Sequence, residues 1–188
     1  GFMLVFVDSY NNLILNINAL NTAGSSLETS GALVSDSTVT RILRTLRAYS
    51  STSITGYEGG PYTMSLLGVA TQRDGTLTFN KNTFKNKVAA NTKILNAFFK
   101  DTLATDNSSV EISGLSANTK PGTYALAKSG GAFTLNGASL SNSGNDYTSS
   151  SGDTNGMTLT ISDNSITSAN IYYGESLLTN INDSLSHL

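Results

Sequence analysis

The sequence predicts an α+β protein: a helical bundle domain with a β-hairpin (residues 1–102), an inserted small antiparallel β domain (103–172) and a C-terminal helix (173–188) that rejoins the helical domain. Three observations carry this. Apolar residues recur at spacings of three and four up to about Lys100 and alternate one-in, one-out beyond it, the periods of helix and strand. Charge steps at the same place: residues 1–100 hold nine Lys/Arg and five Asp/Glu, residues 101–188 hold two and eight. Beyond that step Gly, Asn and Ser clusters separate short β-prone runs, the pattern of a hairpin-connected sheet.

The first helix is read from Phe6, Tyr10, Leu13, Ile17 and Leu20, a seam of alternating four and three with Asn11, Asn12, Asn16 and Asn18 largely off it. It is expected to stop in Asn21 to Ser26, a run of turn formers. A second helix is expected after Ser35 or Asp36, either of which can cap free backbone N–H groups. Val39, Ile42, Leu43 and Leu46 form its apolar stripe. Arg41, Arg44 and Arg47 recur every third residue as a slowly winding basic ridge. It is either a solvated face or a contact to an acidic neighbouring subunit, for which forked guanidinium groups are suited. Ser50 to Pro61 reads as loop. Leu67 to Thr71 and Thr76 to Phe79 flank Asp74-Gly75, a hairpin signal. Asn80 is placed to cap a short helix carrying Phe84 and Val88, and a last helical stretch from Asn91 carries Ile94, Leu95, Phe98 and Phe99.

Strands are expected at Val110–Ile112, Tyr124–Ala127, Ala132–Leu135, Met157–Ile161 and Ile171–Tyr173. The polar stretch from Ser141 to Gly156 reads as a flexible surface loop. Leu177, Leu178, Ile181 and Leu185 restore a helical stripe between Glu175 and Leu188.

Composition narrows function. Ser, Thr and Asn together fill as large a share of the chain as the hydrophobic residues, 38%, which favours turns, caps and solvated β surfaces. A net charge of −2 argues against nucleic-acid binding. With no cysteine and one histidine, disulfides and thiolate metal sites are excluded and zinc nearly so. A catalytic base needs a nucleophile beside it and a third group to orient it, and His187, the single histidine, stands near a chain end where the helix is expected to fray. Asp146, Asp153 and Asn155 share one polar stretch, but Gly152-Asp153-Thr154-Asn155-Gly156 does not match a calcium loop. Gly130-Gly131 is followed by a strand-like run and fails as a phosphate loop. Asn107-Ser108-Ser109 is a chance match to a glycosylation pattern. No cofactor, no metal and no catalytic residue is expected. No apolar run is long enough to span a membrane. Opening at Gly1 inside the apolar run Phe2–Val7, without a basic leader or cleavage site, the chain reads as a piece of something longer.

Several landmarks resemble, in order, the flagellar filament-capping family (hook-associated protein 2). Phe6-Val7-Asp8-Ser9-Tyr10-Asn11-Asn12-Leu13 is similar to its F-V-x-x-Y-N-x-L helix opening. Gly31-Ala32-Leu33 with Asp36-Ser37-Thr38-Val39 resembles its G-x-L-x-G-D-S-T stretch, continued by Leu43 to Arg47. Leu66-Leu67-Gly68-Val69 and Asp74-Gly75-Thr76-Leu77-Thr78-Phe79 resemble its L-G-I…D-G-T-L segment, and Phe98-Phe99 stands where the family closes with Leu-Phe. Ser35 replaces the family's glycine, Ala90-Asn91-Thr92 lacks its proline, and 101–172 is an acidic β insertion that only some members carry. Gly122-Thr123-Tyr124 and Asn155 to Thr160 look like β insertions of flagellins and their relatives. The resemblance implies a secreted, extracellular structural protein at the filament tip, exported through the flagellar channel, forming a ring of identical subunits and helping flagellin fold and insert. It implies flagellin, further copies of itself and an export chaperone as partners. The family's terminal coiled-coil segments do not appear in the sequence. Rival readings are a flagellin or hook–filament junction protein, or an adhesin whose β insertion binds glycans through Tyr124, Tyr147, Tyr172 and Tyr173.

Overall fold

The computed structural model describes residues 2–21 and 37–186 and confirms a mixed α+β chain with antiparallel sheets. It divides into two compact units. The first comprises Gly1–Ser53, Thr63–Thr92 and Asn180–Leu188, the second Ile54–Tyr62 and Lys93–Thr179.

In the first unit, α1 (Phe2–Asn21) buries Met3, Val7, Tyr10 and Ile14. This corrects the expected seam by a rotation of the helix: Leu13 is 44% exposed, and Phe6 and Ile17 are only half-buried. Both series obey the same three-four spacing, and α1 carries apolar residues on more than one side, so spacing alone cannot select its inward face. Helix α2 (Ser37–Ser51) buries Leu43 and Leu46. The segments expected to end α1 beyond Asn21 and to cap α2 lie outside the described residues, as does His187.

A 3-10 turn, Met64–Leu67, ends at Gly68 and leads into β1 (Val69–Thr71), which pairs antiparallel with β2 (Leu77–Phe79). The hairpin forms as expected, although Leu67 belongs to the turn and not to the strand. In its loop, the Thr76 hydroxyl and N–H both donate to Asp74 Oδ1, at 2.7 and 2.9 Å, and these bonds hold the Asp74 carboxyl below its ordinary range. Asn80 Oδ1 accepts the N–H groups of Asn82 and Thr83 at 3.0 Å, capping α3 (Lys81–Ala90), whose Phe84 meets Phe79 edge-on at 5.5 Å.

One side chain fastens the hairpin to α1. Asn11 Nδ2 donates to Leu77 O at 2.8 Å, and Leu77 N–H donates to Asn11 Oδ1 at 2.6 Å. Leu77 is 3% exposed, so no water replaces these bonds once they are lost. Asn11→Ala is expected to destabilise the first unit by about 2 kcal/mol, most of it from stranding a buried donor and acceptor. Urea unfolding measures it, and a change within error would remove Asn11 from the account.

In the second unit, Ile54 and Tyr62 bridge antiparallel, closing a loop whose Tyr57 is buried and donates its hydroxyl to Lys100 O at 2.8 Å. A 3-10 turn (Thr92–Leu95) begins in the first unit and α4 (Asn96–Phe99) follows it. Then come β3 (Thr102–Thr105), β4 (Val110–Gly114), β5 (Gly122–Ser129), β6 (Ala132–Leu135), β7 (Ala138–Ser143), β8 (Asp146–Ser149), β9 (Thr158–Ile161) and β10 (Ser168–Gly174). They form one antiparallel sheet in the order β3-β10-β5-β6-β7-β8-β9-β4. The two strands at its ends, β3 and β4, follow one another in sequence and touch, so the sheet curls around a single core. That core takes Val110, Tyr124, Leu126, Phe133, Leu135, Tyr147, Met157, Leu159, Ile161, Ala169 and Ile171.

The stretch expected to be a flexible loop, Ser141 to Gly156, is instead largely ordered sheet: the end of β7, all of β8 and a 3-10 turn at Gly152–Thr154. Its outward residues are polar, while Tyr147 and Ser149 point inward, and Ser149 Oγ and Thr154 Oγ1 share a buried hydrogen bond of 2.6 Å.

Helix α5 (Leu177–Ser186) follows β10. Asp101 Oδ1 accepts the Ser176 N–H at 2.7 Å and the Thr179 hydroxyl at 2.8 Å, holding the helix entry. Burial works to raise the Asp101 carboxyl, but these bonds outweigh it and leave the group below its ordinary range. A carboxyl depressed in the folded state contributes stability that is full above about pH 4 and is lost as pH falls through the lower folded value. Asp101→Asn is therefore expected to flatten the acid limb of the unfolding profile below about pH 4, read by urea titrations at successive pH values. An unchanged acid limb would contradict the assignment. Further along α5, the Tyr49 hydroxyl donates to Asn180 O at 2.7 Å and also meets Ser184 Oγ, which ties α2 to the part of α5 in the first unit.

Candidate assembly surface

Arg41, Arg44 and Arg47 are all exposed on α2, because Leu43 and Leu46 take the inward stripe of the same helix. They are not equivalent. Arg47 turns to the hairpin loop, where its Nη2 donates to Asp74 O at 3.5 Å, and Asn18 Nδ2 donates to the same carbonyl at 3.4 Å. Gly75 makes this possible: a Cβ there would stand 2.6 Å from Arg47 Nε. The sequence grouped the three arginines as one ridge, but the fold uses Arg47 to clamp the turn. Arg44 makes no ion pair among the described residues.

Beside this basic stripe lies an apolar depression of about 200 Å³ in the first unit, lined by Phe6, Tyr10, Leu13, Leu46, Met64 and Ile181 among others. The Tyr10 hydroxyl is buried at its wall without a hydrogen-bond partner among the described residues, and burial pushes its pKa up, with Arg47 pulling the other way. The rest of α1 exposes Leu4 (40%), Val5 (63%) and Leu15 (52%). The depression, with Leu13 on its wall, and these three large apolar side chains kept in water on other sides of the helix offer surface for association. The seam reading missed this face, although Leu4, Val5 and Leu15 stand in the sequence as apolar positions off the chosen stripe.

Of the four tyrosines considered for glycan stacking, two belong to the core of the β unit. Tyr124 donates to Lys120 O at 2.7 Å, and Tyr147 donates to Asn164 Oδ1 at 3.0 Å and packs edge-on to Phe133 at 5.0 Å. Tyr173 is half-buried with its hydroxyl on Glu175 Oε1 at 2.7 Å. Tyr172 lines an open cleft. The polar residues considered for calcium are separately engaged: Asp146 Oδ1 accepts from the Thr160 hydroxyl at 2.6 Å, and Asp153 pairs with Lys120 at 2.7 Å. No group of three or more His, Cys, Asp or Glu is placed to hold a metal among the described residues, and no described helix is long and apolar enough to cross a membrane.

Against known families, residues 2–125 match the family described as Flagellar hook-associated protein 2 C-terminus. The match runs from the start of α1 into β5 and covers both the arginine stripe and the hairpin. No curated protein and no solved structure gives a significant match.

Proposed function

The chain belongs to the Flagellar hook-associated protein 2 C-terminus family and is thus a structural component of the bacterial flagellum, and on that premise we propose that it works as part of the cap at the distal tip of the filament. The cap promotes folding and insertion of arriving flagellin and prevents its loss to the medium. The observation that carries the reading is the family match across residues 2–125, which takes in α1, α2, α3 and the hairpin of the first unit.

The surface chemistry supports assembly. The exposed apolar positions of α1 gain about 25 cal/mol for each Å² they remove from water against a neighbour. The arginines of α2 then contribute direction, since exposed charge sets partner choice and encounter rate more than affinity. Flagellin and further copies of the chain are the partners proposed for this helical surface. The β unit serves as a solvent-facing decoration, its outward strand positions being mostly Ser, Thr and Asn. Without disulfides, the chain is suited to unfold for export through a narrow channel and refold outside.

The test is Arg44→Glu in the full-length protein, expressed in a strain lacking it. Arg44 is exposed, so melting should be unchanged within about 0.5 kcal/mol. Filaments should be fewer and flagellin should appear in the medium. Normal filaments would remove Arg44 from the assembly surface.

A further inference from the structure

The second unit holds a cleft of about 220 Å³ that neither the core nor the assembly surface uses. Its walls come from three places: Tyr57 and Glu58 on the bridged loop, Lys93 and Asn96 at the approach to and start of α4, and Thr102 on β3 with Tyr172 on β10. All lie within the second unit.

The size is diagnostic. Sites that enclose a drug-sized ligand run to roughly 300–1,000 Å³, whereas this volume equals about seven waters at ~30 Å³ each. It suits one small ring.

The chemistry is mixed in a particular way. Tyr172 contributes a half-buried aromatic ring, and its hydroxyl makes no hydrogen bond among the described residues. The Asn96 side-chain amide and the Thr102 hydroxyl are likewise unengaged there, although most other polar side chains around this sheet are satisfied. An amide and two hydroxyls offer donors and acceptors together. At the rim, Lys93 Nζ and Glu58 Oε2 form an ion pair of 2.5 Å with both side chains largely exposed, 66% and 56%. The pair adds a donor cation and an acceptor anion but no net charge. Burial raises the pKa of the Tyr172 hydroxyl, Asp106 and Glu58 add to it and Lys93 opposes them, so two carboxylates face one ammonium on that wall.

An aromatic face bordered by neutral two-way hydrogen-bonding groups fits a molecule with an apolar C–H face and hydroxyls around its edge. We propose that this cleft binds a single neutral sugar residue, with the Tyr172 ring under its C–H face and Asn96, Thr102 and the Lys93–Glu58 pair holding its hydroxyls. The negative wall disfavours a sugar carboxylate. A peptide fits less well, because a cleft of about 220 Å³ holds little more than one ring. The assignment is separate from the filament-tip reading and stands or falls without it.

The test is a nitrogen-15 amide titration of the 188-residue chain with D-glucose, D-galactose, D-mannose, N-acetyl-D-glucosamine and D-glucuronic acid, and with a Ser/Thr-rich decapeptide. At least one neutral sugar should give saturable shifts at Glu58, Lys93, Asn96, Thr102 and Tyr172, with a Kd of about 1 mM, since a ligand of a dozen heavy atoms reaches little more than that in an open site. Asn96→Ala should weaken it about 10-fold, the effect of one lost hydrogen bond, with shifts elsewhere in the spectrum unchanged. Tyr172→Ala should abolish binding, and Tyr172→Phe should retain most of it. Silence with all four neutral sugars, shifts located elsewhere, binding of glucuronic acid alone, or binding of the peptide alone would each overturn the proposal.

Discussion

Phe133→Ala is expected to destabilise the β unit by about 3–5 kcal/mol, the cost of removing a large aromatic side chain from a packed interior and leaving a cavity. Phe133 is 2% exposed and sits on β6, central in the strand order. Its ring meets Tyr147 edge-on at 5.0 Å and carries the Lys128 ammonium at 4.9 Å on its face. The β unit has one core, and small domains hold only about 5–15 kcal/mol in total, so the variant should approach the limit of folding. Because the chain has two units, the transition must be followed by probes within each, as one overall midpoint would mix them. The Asn11–Leu77 contact reports the first unit and should stay formed. A loss below about 1 kcal/mol would mean that the interior closes over the gap, which would contradict the close packing described above.

Gly56→Ala should be nearly as damaging, for a different reason. Gly56 has φ +81°, and a Cβ there would stand 1.8 Å from Tyr173 O and 2.4 Å from its carbonyl carbon. Across from it, a Cβ on Gly174 would stand 2.4 Å from the Tyr57 ring. At Gly56 the added Cβ meets backbone, which has no flexible end that can give way, and at Gly174 it meets the buried Tyr57 ring. The expected cost is at least about 3 kcal/mol, combining left-handed strain of roughly 1–3 with the displacement of β10. Gly137→Ala is the control. Its φ is +83° and nothing lies within 4 Å of the added Cβ, so only the conformational cost of about 1–2 kcal/mol remains. Thermal melts of the pair separate strain from collision, and equal shifts would refute the close approach of loop and strand.

What could be read from the sequence was what is decided locally. Asp74-Gly75 with Thr76 builds its own turn, and Asn80 builds its own cap, from side chains two or three residues away. The family landmarks fall within the same kind of segment, and the match over residues 2–125 agrees with them. What failed was decided elsewhere. The rotation of α1 is set by the hairpin that Asn11 grips, a contact that the spacing within α1 does not record. The polar outward residues of β7 and β8 hide them in the sequence, yet a signal is present: Gly144-Asn145 joins them with two residues, as Asn136-Gly137 joins β6 to β7. The packing of Gly56 and Tyr57 with β10 has no local trace at all, since it rests on residues more than a hundred positions away. The arginines of the candidate surface were legible as a period, but Arg47 was not legible as the clamp on Asp74, because that contact depends on where the hairpin lands. Of the tyrosines, composition could nominate four, and only the register of β10 distinguishes Tyr172 from the residues that close the core.

The most direct measurement for the central claim is deletion of the full-length gene in its bacterium, with filaments counted by electron microscopy and flagellin assayed in the culture medium. A filament-tip role predicts cells without filaments and unpolymerised flagellin in the medium, both reversed by the restored gene. Filaments of normal number and length, with no flagellin released, would contradict it.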